Sequence, residues 1–145
     1  MKRTIIALAL SLSFTAFGQL DATDGWPLFA RVKFNTVLYK ELNEYFLVPS
    51  FDKKITSMVG TEITLQGFYI PFDLPKNRLV ISKNPYSSCF FCGGAGPESV
   101  AEVIFKTKAP KLKTDQAITI KGKLKLNNKD VNQLNFILED AEKIN

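Results

Sequence analysis

Ala117-Ile118-Thr119-Ile120-Lys121-Gly122-Lys123-Leu124-Lys125-Leu126 alternates in polarity from Ile118 onward. Successive side chains of a strand point to opposite faces. Ile118, Ile120, Leu124 and Leu126 therefore share one face, and Thr119, Lys121, Lys123 and Lys125 share the other. Gly122 falls on the apolar face, where a bent strand needs a small residue.

Four further β segments lie around it. Gly60 to Ile70 is rich in β-formers, with Gly67 in its middle marking a bulge or sharp bend. Arg78 to Ser82 is a second strand and Val100 to Phe105 a third. Leu134, Phe136 and Leu138 alternate in the last. Pro71 to Asn77 reads as a loop, Gly96-Pro97-Glu98 as the seed of one helical turn, Ala109 to Asp115 as a connector and Asn127-Asn128 as a turn. Open strand edges invite aggregation, and closing the strands on themselves removes the edges. The expected fold is mainly β: a small five-stranded OB-like barrel with a short N-terminal helical or irregular extension. A small sandwich is the alternative. The expected division is a signal peptide over 1–18, the extension over 19–54, packed on the barrel, and the barrel over 55–145.

Within the extension, Asp24-Gly25-Trp26-Pro27-Leu28 reads as a turn, and Phe29 to Val37 as a loosely alternating strand. Val37 to Phe46 places Leu38, Leu42, Tyr45 and Phe46 at helical spacing, so a helix is expected there. Val48-Pro49-Ser50 should end it, because proline disfavours helix in the residue before it.

The N-terminus indicates the compartment. Met1-Lys2-Arg3 is basic, Ile5 to Phe17 is apolar or small without charge, and Ala16-Phe17-Gly18 offers small residues ahead of Gln19. This is the pattern of a secretory signal peptide, which places the protein in the periplasm or cell envelope. The apolar run falls short of the ~20 residues that span a bilayer. No later stretch is apolar enough to do so, and no cysteine follows the cut for lipid attachment. Cleavage would leave 127 residues, 145 less 18, which suits one domain. Loss of Lys2 and Arg3 takes the formal charge from +5 to +3, too mild to demand an anionic partner.

Trp26-Pro27-Leu28, then Leu65-Gln66-Gly67-Phe68-Tyr69-Ile70-Pro71-Phe72, then Val80-Ile81-Ser82 before a cysteine-bearing loop, then Ile120-Lys121-Gly122-Lys123-Leu124 occur in an order that resembles a group of small exported bacterial proteins of unknown function with an OB-like core. Some of that group are similar to proteins encoded beside transporter components, with links to zinc supply. The resemblance implies an OB-like fold and an envelope transporter or another exported protein as partner. The present chain carries Cys89-Phe90-Phe91-Cys92-Gly93-Gly94 where the group has one cysteine followed by histidine and prolines, so the site chemistry does not carry over.

Cys89 and Cys92 are the only cysteines, and the chain has no histidine. Thiol, disulfide or soft-metal chemistry is confined to this loop. A structural disulfide between Cys89 and Cys92 comes first, since export permits it and a clip would stiffen the glycine-rich loop. Metal binding by Cys89 and Cys92 comes second. Cys-x-x-Cys-Gly resembles a zinc-knuckle half-site, but a closed zinc site takes four ligands, so Glu98, Glu102 or a second subunit would have to complete it. Two thiolates alone suit copper(I) better than zinc. Redox exchange comes third. Phe90 and Phe91 raise rather than lower a thiol pKa, no cation lies nearer before Cys89 than Lys83, and the glycines behind Cys92 oppose a helix start. Backbone N–H groups of the Gly93–Gly96 stretch could still cradle a thiolate.

Other chemistry finds little footing. Without histidine there is no Ser-His-Asp triad or Cys-His pair, and position 93 is glycine where heme attachment needs histidine. Gly93-Gly94-Ala95-Gly96-Pro97 lacks the Lys and Ser/Thr of a phosphate-binding loop. Asp73, Glu98, Glu102, Asp115, Glu139 and Asp140 read as ordinary surface carboxylates. Lys121, Lys123 and Lys125 read as a solvated face guarding a sheet edge, and export argues against nucleic acid. The expected function is an exported binding or accessory module rather than an enzyme. The alternatives are a thiol–disulfide redox protein and a structural component of an envelope complex. In the last, Phe68, Tyr69, Phe72, Phe90 and Phe91 would form the contact.

Overall fold

The computed structural model describes residues 23–144. The expected signal peptide, residues 1–18, lies outside them. In chain order the elements are β1 (Thr23–Asp24), α1 (Trp26–Phe29), β2 (Lys33–Tyr39), β3 (Glu44–Ser50), α2 (Lys53–Thr56), β4 (Glu62–Ile70), β5 (Arg78–Ser82), β6 (Val100–Phe105), β7 (Ala117–Leu126) and β8 (Phe136–Lys143).

Five strands close into a barrel in the order β4-β5-β6-β8-β7 and back to β4. Only β6 and β8 run parallel; the other barrel pairs are antiparallel. This is the expected OB-like barrel. β4 makes the closure possible. Glu62 to Phe68 pair with β7, and Phe68 to Ile70 pair with β5, so Phe68 serves both neighbours. A strand that changes partners must coil tightly, and Gly67 stands next to the switch. A Cβ at Gly67 would collide with the Ser82 carbonyl oxygen, so only glycine lets β5 approach.

The inward residues alternate along each strand. Ile63 and Leu65 of β4, Leu79 and Ile81 of β5, Ala101 and Val103 of β6, Ile120 and Leu124 of β7, and Phe136 and Leu138 of β8 form one core. Gly122 lies within 3.0 Å of Leu138 Cβ once a Cβ is placed on it, which accounts for its inward position on β7. The opposite register shift falls at Asp140, whose φ of 52° marks a bulge in β8.

Trp26-Pro27-Leu28 forms a single helical turn rather than a plain turn, with Pro27 in the first turn, where a missing N–H costs nothing. The turn joins the core. Phe29 is fully buried and stacks on Phe136 at 4.0 Å, and Trp26 Nε1 donates to the Gln66 carbonyl at 2.7 Å. Burying a phenylalanine of this kind stabilises by about 2–3 kcal/mol.

The helix expected over Val37–Phe46 is not formed. β2 and β3 make an antiparallel hairpin, with Val37 opposite Phe46 and Leu38 opposite Tyr45. The helical stripe would have needed a core to face, yet Leu42 is 52 % and Tyr45 72 % exposed. Asn43 adopts a left-handed φ of 52° at the tip, a conformation asparagine tolerates better than most residues. Val48-Pro49-Ser50 continues β3 instead of ending a helix. The base of the hairpin is anchored: Phe34 packs edge-on against Phe136 at 6.4 Å, and Phe51 does so at 6.1 Å.

β7 is not an edge strand, contrary to the expectation from its lysines, because β4 and β8 flank it. The lysines meet carboxylates instead. Lys121 reaches Glu142 at 2.9 Å and Glu62 at 3.8 Å, Lys123 reaches Asp140 at 3.0 Å, and Lys125 reaches Glu139 at 2.8 Å.

Candidate functional site

The cysteines sit in the long connection between β5 and β6. Three single 3-10 turns shape it: Tyr86–Ser88, Phe90–Cys92 and Pro97–Ser99. Cys89 joins the first two. Its N–H donates to the Tyr86 carbonyl at 3.3 Å, and its own carbonyl accepts from the Cys92 N–H at 3.2 Å and the Gly94 N–H at 3.1 Å. Gly93 closes the second turn at a φ of 74°, which favours glycine. The loop is also tied sideways, because the Tyr86 N–H donates to the Asp115 carboxylate at 2.6 Å.

The two sulfurs meet different surroundings. Cys89 is fully buried against Ile70 and Val80, with Leu74 and Leu134 beside it. Ile70 and Val80 are paired neighbours on the outer wall of the barrel. Cys92 is exposed. The sulfurs stand 4.0 Å apart as free thiols, against ~2.05 Å in a disulfide. Partial desolvation lifts the Cys92 thiol above its ordinary value. Its hydrogen bond with Cys89, and then the charge of that neighbour, lift it further. Such a thiol stays protonated and weakly nucleophilic at neutral pH.

As metal ligands the pair has suitable spacing but little company. Zinc held at ~2.3 Å in a tetrahedral site sets two sulfurs ~3.8 Å apart, close to what is found here. Glu102, expected as a surface carboxylate or a third ligand, is neither. Its side chain is only 5 % exposed and is held by Arg78 Nη1 at 2.8 Å and by the Leu134 N–H at 3.4 Å. The Glu98 carboxylate lies back against Gly96. Among the described residues no three Cys, His, Asp or Glu side chains converge. Among the described residues the donor set at this loop is two sulfurs.

In OB barrels the outer face of the second and third strands commonly receives the ligand. Here those strands are β5 and β6, and the cysteine loop packs Cys89 on Val80 of β5. A concavity opens at the border of the loop. A cleft of about 350 Å³ lies between β3, Phe90 and Pro97 of the cysteine loop, and the β7–β8 connection. Tyr45, Phe46, Leu47 and Val48 form one wall, and Val131, Gln133 and Leu134 belong to the other. Asn127 builds that second wall. Its Nδ2 donates to the carbonyls of Asp130 at 2.7 Å and Gln133 at 3.0 Å, and its Oδ1 accepts the Asp130 N–H at 3.0 Å.

The aromatic residues expected to form one contact surface are divided. Phe72 and Phe91 are exposed and touch edge-on at 4.6 Å, and Phe90 packs on Phe91 at 5.2 Å and lines the cleft. Tyr69 packs against the core instead, and Phe68 is half-buried on the partner-switching strand. Tyr45, Leu47 and Val131, all exposed, were not among the expected residues. The signal for the first two was present as a seven-residue β-rich run, Glu44 to Ser50, behind Asn43.

No protein-family model and no curated protein matches the chain. Among the described residues no helix is long and apolar enough to cross a membrane.

Proposed function

We propose that this chain is an exported binding or accessory module that takes its partner at the cleft between β3 and the β7–β8 connection. The partner is an envelope transporter component or another exported protein, in keeping with the resemblance of the motifs. The observation that carries this is the cleft itself: an apolar, aromatic concavity bordered by exposed Tyr45, Leu47 and Val131. Exposed apolar residues gathered at one place mark interaction sites more often than scattered ones do. Oxidised on export, Cys89 and Cys92 would clip the loop that supplies one side of the cleft; in the structure they stand as two thiols. A photo-crosslinking side chain at Leu47 or Val131, in chain expressed with its own N-terminus, should trap a discrete partner. Trapping no more frequent than from Thr119, on the outside of β7, would sink the proposal.

Thiol–disulfide exchange is supported by one observation, the 4.0 Å sulfur separation with one sulfur exposed. Counting free thiols before and after a glutathione-like reductant separates the cases. A pair that resists reduction is a clip, and a pair that cycles readily is a redox site. Metal measured on the same sample, lost in Cys89→Ser, would instead assign bound zinc or two-coordinate copper(I).

A further inference from the structure

We infer that the cleft takes an extended peptide, which adds to the free edge of β3 as a third strand. This rests on the cleft being the binding surface proposed above. Residues Tyr45 to Pro49 line the cleft consecutively, whereas β2 contributes Tyr39 alone. A sheet face would present alternate residues from both strands. An unbroken run from one strand is an edge. Among the described residues the backbone of β3 is hydrogen-bonded only to β2, and no bond crosses to the β7–β8 connection. Unpaired N–H and C=O groups along an edge are a template for another strand.

Pro49 identifies the groups that point outward. It pairs with Phe34 and has no N–H, and proline is tolerated in a strand where its missing donor points off the sheet. Backbone groups of an antiparallel strand alternate in direction, so Tyr45 and Leu47 aim their N–H and C=O the same way as Pro49. The incoming strand is bonded at Tyr45 and Leu47 and runs out at Pro49. A lone two-stranded hairpin is marginally stable in water, and a third strand completes it.

The chemistry of the peptide follows from the walls. Among the described residues, the charged ones lining the cleft are Lys129 and Asp130, adjacent and opposite in sign. The complementary ligand is therefore neutral, with aliphatic or aromatic side chains at alternate positions. At about 350 Å³ the cleft admits the side chains of a short extended segment but not a folded hairpin from a second copy.

The test uses random heptapeptides displayed on phage and selected against the folded chain. The best binder is synthesised with its own backbone and in two N-methylated forms, one for each set of alternate amides. Selected peptides should alternate in apolar character and slow amide exchange at Tyr45 and Leu47. One N-methylated form should bind about tenfold more weakly or worse, while the other keeps the parent affinity. Leu47→Pro, which removes an outward donor, should weaken binding similarly, and the methylated peptides carry the test should that variant fail to fold. Failure to enrich any peptide, equal binding by all three peptides, or protection away from β3 would overturn the inference. Equal binding together with crosslinks at Leu47 and Val131 would leave the cleft as the binding surface and remove strand addition alone.

Discussion

Cys89 and Cys92 are close in sequence, yet one sulfur is sealed under a loop and the other faces water. Their truncations should therefore differ. In the reduced chain Cys89→Ala should cost about 1–2 kcal/mol in denaturant unfolding, and Cys92→Ala should leave the midpoint nearly unchanged. Equal costs would contradict the sealing of Cys89 beneath the loop. The Cys92 thiol should also titrate late. Its folded value is raised, so the folded chain holds the proton longer than the unfolded one. The contribution to stability is complete below the ordinary value of 9.0 and is lost as pH rises through the folded value. Alkylation of the folded chain should accelerate at higher pH than that of the denatured chain; a midpoint below that of the denatured chain would contradict the structure. Gly67→Ala should destabilise by about 2 kcal/mol or more, because the added methyl meets backbone rather than a mobile side chain. At this scale Gly67 and Gly122 were legible in the sequence, since a glycine inside an alternating run has few other uses. Glu102 was not. Its burial depends on Arg78 from β5 and Leu134 from the β7–β8 connection, neither of which is near it in sequence.

The ends of β5, β6 and β7 coincide with the expected segments: β7 alternates because it buries one face, whereas β5 and β6 are short apolar runs buried on both faces. The hairpin of β2 and β3 escaped because its apolar residues near the tip face no core. Their spacing fitted a helix by sequence, but nothing buried the stripe. β8 ran on to Lys143, beyond its apolar alternation, because its second half is held by charge. Lys121 holds the Glu142 carboxyl below the usual carboxylate range, and Lys123 does the same for Asp140. Both depressed values contribute stability that is present above the ordinary carboxylate pKa and lost as pH falls through the folded values. The β7–β8 pairs are exposed, so the loss should be modest and blunted by salt. Thermal unfolding from pH 6 down to about pH 3 should show a smaller decline in Asp140→Asn/Glu142→Gln than in the parent, and the gap should close in about 1 M salt.

The expected boundary at residue 55 has a consequence for the molecule as a unit. Trp26 and Phe29 lie in the same core as Leu65 and Phe136. A chain beginning at residue 55 would leave Phe136 without its stacking partner and the Gln66 carbonyl without its indole donor. Such a chain should keep β-type far-UV circular dichroism but lose near-UV signal and a cooperative transition. Phe29→Ala in the full chain should cost about 3–5 kcal/mol, the range for large aromatic truncations. A sharp transition from the shorter chain would show that the barrel closes without α1. The buried sulfur gives the molecule a built-in clock. A thiol reagent can reach Cys89 only when the loop lifts from Ile70 and Val80, so the rate of its labelling, measured beside exposed Cys92 as an internal standard, reports how often that wall opens. Slow labelling that tracks global unfolding would make the loop part of the cooperative unit, and faster labelling would give the free energy of its separate opening.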